Sequence, residues 1–136
     1  MIPKYRVWDK NQQIMRGVRG LFWTKNSLVA HCSPMGNKFD EFFTTILNDG
    51  EYHLMQSTGL FDKNGKEIFE NDIVEWEHKD TGQLVRGIVK YDAEFGFWGM
   101  TDVRFNDLTA IGYLANQRVT VLGDIYENPE LVEVEK

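Results

Sequence analysis

The segment from Leu54 to Trp76 constrains the fold most strongly, because a tight turn separates two strand-like stretches within it. The turn is Asp62-Lys63-Asn64-Gly65, since Asn-Gly readily adopts the positive φ angles of a type I′ hairpin. Residues 73–77 then alternate between polar and apolar side chains, as a half-buried strand does. The segment therefore predicts a turn followed by a strand that enters a larger β-structure.

Further turn signals recur about every ten residues through the later half of the chain, between short strand-like stretches. This spacing is typical of a small β-sandwich or barrel, and it predicts a small antiparallel β-barrel, SH3-like or similar, in the C-terminal half. Near the N-terminus, residues 5–8 and 14–15 flank a turn at 9–12, which predicts a separate β-hairpin. The chain is therefore expected to be mainly β, with α+β character.

One amphipathic helix is predicted near residues 38–48. Apolar side chains recur there at the i, i+3, i+4, i+7 spacing of one helix face, and Gly50 suits a left-handed C-terminal cap. The apolar positions are Phe39, Phe42, Phe43, Ile46 and Leu47. A shorter helix is predicted at residues 107–116. The expected organisation is a basic β/α element at 1–50 and an acidic β-barrel body at 51–136, or one continuous domain.

Composition places the chain among folded proteins: 42% of its 136 residues are hydrophobic and 13% are aromatic. Cys32 is the only cysteine, so the chain has no internal disulfide and no thiolate zinc cage. No apolar run approaches the roughly 20 residues of a membrane helix, and the N-terminus lacks the apolar stretch of a secretory signal. We therefore expect a cytoplasmic protein that does not bind membranes.

Charge is distributed unevenly along the sequence. Residues 1–30 carry six basic side chains against Asp9 alone, whereas residues 61–136 carry sixteen acidic and eight basic side chains. Two interpretations remain open: the two ends complement each other within or between subunits, or the basic end binds an anionic partner. The overall charge of −6 argues against strong non-specific binding to DNA.

The candidate binding residues are Arg16, Arg19, Trp23 and Lys25, which bring cations close to an aromatic ring in the sequence. This mixture suits stacking on nucleic-acid bases beside phosphates. It suits equally a cation–π contact, or arginine stems packed over a tryptophan where two subunits meet.

Residues for catalysis or metal binding form no recognisable pattern. His31 and Cys32 are adjacent, and adjacent strand residues point to opposite faces. The acidic residues near the turn alternate as on the solvent-facing side of a strand. The histidines available for acid–base chemistry, His31, His53 and His78, have no spacing that brings them together. We expect no catalytic residue, no metal and no cofactor.

Three segments resemble the YopX family, whose members are encoded largely by phages and prophages of Gram-positive bacteria. The central one has the form T-G-L-x-D-x-N-G-K-E-I-x-x-x-D-I-V and occupies residues 58–74. The family's G-x-I-Y-E-N-P-E-L signature occupies residues 123–131, and Arg6-Val7-Trp8-Asp9 with Met15 resembles its opening. The family usually has glycine before Asp72, where this chain has Asn71. Asparagine also tolerates positive φ.

The resemblance implies a β-rich phage protein and carries over no catalytic residue. Its matching positions set turns and core, so we assign them structural roles: Gly59, Asp62, Gly65, Asp72, Ile73, Gly123 and Asn128. The expected function is a non-catalytic binding or assembly module. The expected partner is another protein or a second copy in a homo-oligomer. The alternative is a small nucleic-acid-binding barrel that acts in phage DNA metabolism or regulation.

Overall fold

The computed structural model describes residues 4–34, 43–77, 80–104, 108–112 and 118–133. These residues form eleven β-strands and short 3₁₀ turns, and every strand pairing among them is antiparallel. The chain divides into two compact units, Met1–Gln56 and Ser57–Lys136. Within the described residues, no helix has the length and apolar character needed to cross a membrane.

The first unit is built from one antiparallel sheet in the order β4-β3-β2-β1-β5. Its core contains Val7, Ala30, Cys32 and Leu47, with Leu54 packed beside them. The predicted N-terminal hairpin is confirmed, because Trp8 pairs with Met15 and Asp9 with Ile14. Its strands are β1 (Tyr5–Asp9), β2 (Ile14–Trp23), β3 (Leu28–Pro34), β4 (Phe43–Ile46) and the start of β5 (Tyr52–Phe61).

The second unit begins with the end of β5, which pairs with β6 at Ser57 and Phe61. Five further strands form a sheet in the order β10-β9-β8-β7-β11. The core of this unit consists of Ile68, Val74, Val89, Met100, Ile111 and Val119. Its strands are β6 (Glu67–Phe69), β7 (Asp72–Glu77), β8 (Leu84–Asp92), β9 (Phe97–Asp102), β10 (Leu108–Ala110) and β11 (Val119–Asp124). A 3₁₀ turn follows at Pro129–Val132.

The predicted closed barrel is wrong for the later half. In the described part of that unit, β10 and β11 are the two edges of an open five-stranded sheet. The outward-facing backbone of β11 bonds to the turn at residues 62–66, so it does not pair with β10. Turn spacing indicates how many strands a chain forms, but it does not determine whether the first and last of them meet.

The helix predicted near 38–48 is also wrong where the structure describes it. Residues 43–46 form β4, which pairs with β3, and a 3₁₀ turn follows at Leu47–Asp49. Thr44 and Thr45 favour a strand because they are β-branched, and Thr45 is buried while Ile46 is exposed. Residues 38–42 lie outside the described residues. The predicted cap is confirmed, since Gly50 has a φ of 89°.

Two smaller predictions need correction. The Asn-Gly turn is present, with Gly65 at a φ of 82°, but Asn64 is not left-handed and the turn is therefore not type I′. The shorter helix predicted at 107–116 is wrong at Leu108–Ala110, which form β10.

Candidate binding surface

Arg16, the first predicted binding residue, is an internal ion-pair partner. Only 1% of its surface is exposed. Its Nε donates to Asp9 Oδ2 at 3.1 Å, and its Nη2 donates to Gln12 Oε1 at 2.6 Å. Arg16 therefore does not belong to an exposed binding surface, which corrects the sequence-based assignment. Arg16 lies opposite Val7 in the β1–β2 pairing, and Val7 faces the core. The Arg16 side chain therefore lies on the core face of β2.

Asp9 holds this arrangement by closing the β1–β2 turn. Its Oδ1 accepts hydrogen bonds from the backbone N–H groups of Asn11 and Gln12, at 3.0 and 3.1 Å. Its Oδ2 accepts from Arg16 on the returning strand. Gln13 completes the turn with a φ of 55°, in the left-handed region. One carboxylate thus shapes the turn and neutralises the buried cation.

Cys32 lies in the same core. Burial raises the pKa of the Cys32 thiol to about 11, although the Arg16 charge lowers it and the Asp9 charge raises it further. Because only the thiolate is strongly nucleophilic, this cysteine is an inert core residue at neutral pH.

The other predicted binding residues are exposed. Trp23 ends β2, and 77% of its surface is accessible. Lys25 is exposed in the turn that follows, which is closed by a 2.8 Å hydrogen bond from Thr24 N to Ser27 O. Arg19 is exposed, and its Nε donates to Ser33 Oγ at 3.3 Å. The structure therefore brings Trp23 and Lys25 to one hairpin tip, with Arg19 about 13 Å further back along the strand.

Two further apolar side chains are exposed on the opposite face of the sheet from Trp23, which directly follows Phe22 in β2. Phe22 pairs in register with Val29, which in turn pairs with Ile46 on β4, so the three share one face of the sheet. Phe22 and Ile46 are both exposed, and Phe22 contacts the His31 ring with centroids 5.7 Å apart. We call the set Arg19, Phe22, Trp23, Lys25 and Ile46 the Trp23 surface.

Sequence reasoning missed Ile46 because it assigned that residue to the buried face of a helix. The available signal was the pair of threonines at 44–45, because β-branched residues are enriched in strands.

The central family-like segment performs a structural task in the second unit. Asp62 is buried, and its Oδ1 accepts from Asn64 N at 2.9 Å and Lys66 N at 2.8 Å. Its Oδ2 accepts from Val121 N at 2.9 Å, while Lys63 N donates to Val119 O. Burial alone raises the pKa of Asp62, but the three backbone N–H groups and the Lys66 charge together lower it below its ordinary value.

A second structural junction surrounds Asn71, which is left-handed with a φ of 69°. Its backbone N–H donates to Val89 O, and its carbonyl accepts from Ile125 N. Its side-chain Oδ1 accepts from Lys90 Nζ at 2.5 Å. The neighbouring Asp72 accepts from Phe69 N at 2.8 Å. One asparagine therefore ties the turn before β7 to β8 and to the end of β11.

The remaining motif residues lie at turns and close contacts. A Cβ on Gly123 would overlap the side chain of Asn128, so any other residue at that position would displace Asn128. Asn128 Oδ1 in turn accepts from Asp124 N at 3.3 Å. Gly59 lies within β5 with a φ of 77°, and Ile73 is fully buried. These positions shape the backbone and core of the second unit.

The histidines and acidic residues of the alternative catalytic interpretation are dispersed. His31 Nδ1 bonds to Thr44 Oγ1 at 2.7 Å, His53 pairs with Trp8 in the first sheet, and His78 lies outside the described residues. Glu75 lies 3.6 Å from an Arg86 nitrogen in the second unit. Within the described ranges, no group of three or more histidine, cysteine, aspartate or glutamate residues is arranged to hold a metal ion.

Comparison with known proteins agrees with the motifs at both ends and the centre. The family model described as YopX protein matches residues 4–133. The chain belongs to the YopX family. Similar solved structures are protein EF1440 from Enterococcus faecalis (32% identity, TM-score 0.66) and yopX from Bacillus subtilis (26% identity, TM-score 0.65). Alignment with EF1440 covers 98% of this chain and 99% of that chain, and alignment with yopX covers 98% of both.

No curated protein matched the chain.

Proposed function

We propose that this YopX-family protein is a non-catalytic binding or assembly module of phage origin that acts in the bacterial cytoplasm. It captures its partner through the Trp23 surface. The observation that carries the proposal is the 77% exposure of Trp23 at the tip of a hydrogen-bonded hairpin. Tryptophan is enriched among the residues that dominate binding energy at protein interfaces.

The Trp23 surface combines features of a protein interface. Phe22 and Ile46 add exposed apolar area on the face of the sheet opposite Trp23, at the same end of β2. Apolar patches ringed by polar groups mark interaction sites. Arg19 and Lys25 supply the polar rim. Rim charges mainly steer association and select the partner, whereas the buried aromatic group supplies affinity.

Charge indicates the chemistry of the partner. Residues 1–30 carry five more positive than negative side chains, so the complementary surface is acidic. Residues 61–136 carry eight more negative than positive side chains. A second copy of the chain therefore offers the required charge, as does an acidic host or phage protein.

Affinity capture from phage-infected cells, with and without nuclease, tests the proposal. Trp23→Ser should reduce capture at least tenfold, and Arg19→Glu and Lys25→Glu should each reduce it several-fold while the melting temperature stays within about 2 °C. Lys63→Glu is the matched control, because Lys63 is exposed in the second unit. Full capture by Trp23→Ser would overturn the proposal. Light scattering of the purified protein reports whether the partner is a second copy.

Nucleic-acid binding is the second candidate. It is favoured by the exposed indole with Lys25 and Arg19 along one hairpin, since single-stranded nucleic acids bind to aromatic platforms flanked by cations. This alternative predicts that labelled single-stranded DNA or RNA shifts at low salt and dissociates steeply as salt rises. It fails if neither shifts in 50 mM salt, or if capture in the first experiment survives nuclease.

A further inference from the structure

Every residue of the edge strand β10 is exposed, whereas each other strand of its sheet contains buried residues. Successive side chains of a strand point to opposite faces. Leu108 and Ala110 are therefore exposed on one face of the sheet, and Thr109 is exposed on the other. Both faces of β10 are accessible to another chain.

The strand is nevertheless held firmly in the sheet. Leu108 lies over Gly99 of β9, where a Cβ would overlap its side chain. Ile111, the residue that follows β10, is fully buried in the core of the second unit. A partner would therefore meet a strand that is already ordered, which lowers the entropic cost of binding.

The hydrogen bonds of β10 determine which of its backbone groups face outward. β10 is antiparallel to β9, and in the same register Ile111 N donates to Trp98 O at 3.1 Å. Hydrogen-bonded pairs alternate with non-hydrogen-bonded pairs along an antiparallel ladder, so Thr109 is the next residue bonded to β9. The N–H and C=O groups of Leu108 and Ala110 therefore point away from β9.

These four outward groups form no hydrogen bond with any residue that the structure describes. The other edge of the same sheet differs, because the outer backbone of β11 is bonded to the turn at 62–66. β10 also lacks charged residues, and charged side chains are a common means of preventing a further strand from adding to an edge. A strand of another chain can therefore add to the sheet at β10.

A second copy of β10 satisfies all four groups in one arrangement. Two β10 strands that run antiparallel across a two-fold axis at Thr109 place Leu108 of each copy opposite Ala110 of the other. Because Leu108 and Ala110 carry the outward groups, these two pairs form four backbone hydrogen bonds. The same surface then serves both copies, as two-fold symmetry requires.

The side chains fit the same arrangement. Each large Leu108 meets the small Ala110 of the other copy on one face of the joined sheets. On the other face, the two Thr109 side chains are opposite each other at the axis, where paired threonines can hydrogen-bond. A cationic or anionic strand gains no ion pair from the uncharged β10, whereas a second copy matches it in hydrogen bonds and in side-chain size.

We propose that two copies of this protein associate through β10, which joins their five-stranded sheets into one continuous sheet. The contact is small, and small interfaces are typical of transient association. The dissociation constant should accordingly be on the order of 100 µM. This interface lies in the second unit and does not involve the Trp23 surface, so it goes beyond the proposed function.

Sedimentation velocity on the full chain, from about 5 to 500 µM at low ionic strength, tests the association. The average mass should rise from 15.9 kDa towards twice that value. Hydrogen exchange at the Leu108 and Ala110 amides should slow at least twofold over the same range, because a second copy covers them. The Gly96 amide, which is bonded to Asp92 O within its own turn, is the internal control. A protein that stays monomeric at 500 µM would overturn the proposal.

Charge substitutions at the axis test the register. Thr109→Lys and Thr109→Glu each place like charges opposite each other, so either variant alone should dimerise at least fivefold more weakly than wild type. An equimolar mixture of the two should regain affinity to within threefold of wild type, since lysine then faces glutamate. Gln83→Lys and Gln83→Glu are matched controls, because Gln83 is exposed before β8, and they should stay within twofold.

Circular dichroism checks that the variants are folded, as the exposure of Thr109 leads us to expect. Wild-type dimerisation of both charge variants, or a mixture that stays monomeric, would overturn the proposal. Trp23→Ser should leave this dimer unchanged. Dimerisation that is lost in Trp23→Ser but retained in Thr109→Lys would also overturn it, because the Trp23 surface would then be the site of self-association.

Discussion

Two buried aspartates, Asp9 in the first unit and Asp62 in the second, perform the same local task with different remote partners. Each uses Oδ1 to accept two backbone N–H groups of the turn that follows it. Each uses Oδ2 to reach a neighbouring strand. That oxygen meets the Arg16 guanidinium in the first unit and the Val121 backbone N–H in the second.

The difference shows how a carboxylate can be stabilised in two ways. Asp62 is surrounded by backbone dipoles, which need no charged partner and hold its pKa below the ordinary value. Asp9 neutralises a buried cation, and each member of that pair depends on the other. Removing one member of a buried ion pair costs more than removing a hydrogen bond, because the charge that remains is uncompensated.

Asp9→Asn should have the largest effect on stability, about 3–5 kcal/mol in the free energy of unfolding. The amide keeps the Oδ1 acceptor of the turn and leaves the Arg16 charge buried without its carboxylate. Urea unfolding followed by circular dichroism measures the loss. The double variant Asp9→Asn/Arg16→Met should recover much of it, and a single-variant loss below 1 kcal/mol would show that the charge is compensated elsewhere.

Asp62→Asn should destabilise by a smaller amount, about 1–3 kcal/mol. The amide nitrogen that replaces Oδ2 would face the Val121 N–H, so two donors would oppose each other. Asp49→Asn is the matched control. Asp49 is exposed, and its Oδ1 accepts from Glu51 N at 2.9 Å. The control should remain within about 0.5 kcal/mol of wild type; equal losses at both positions would contradict the role of Val121.

The stabilisation from Asp62 should depend on pH. Its pKa is lower in the folded than in the unfolded chain, so the unfolded state binds more protons between those two values. The contribution is therefore fully present above the ordinary pKa of 3.8 and is lost as pH falls through the folded value. The stability gap between wild type and Asp62→Asn should narrow as pH falls from 6 towards 2. A gap that stays constant would exclude linkage through this carboxylate.

Substitutions at Asn71 test whether the left-handed backbone conformation at this position contributes to the stability of the second unit, as the Asp9–Arg16 ion pair contributes to that of the first. Asn71→Ala should cost about 1–2 kcal/mol more than Asn71→Gly, because alanine is strained in the left-handed region and glycine is not. Both variants lose the Lys90 hydrogen bond, so that loss cancels in the comparison. Thermal unfolding of the two proteins measures the difference. Equal stability would mean that the backbone relaxes out of the left-handed conformation.

Local turn chemistry was the part of the fold that could be predicted from sequence. Asn-Gly at 64–65, Gly50 and the N-terminal hairpin all occur where residue preferences placed them, because backbone sterics act within a few residues. Strand identity at 43–46 could not be decided in this way. Its phenylalanine and isoleucine spacing fits a helix, whereas pairing with β3 depends on contacts far along the chain.

The exposed part of the candidate site was predicted better than its buried part. Trp23, Arg19 and Lys25 are exposed as the sequence suggested. Arg16 was misassigned because its position in the sequence resembles that of Arg19, and only the register with β1 turns it towards Asp9.

The turn at 62–66 also protects the β11 edge of the second sheet against association with other chains. An edge strand with unpaired N–H and C=O groups is a template for further strands and hence for aggregation. Here Lys63 N and Asp62 Oδ2 already occupy Val119 O and Val121 N on the outer side of β11. The turn at 62–66, which is part of the segment that resembles the family, thus also hinders β11 from pairing with a strand of another molecule.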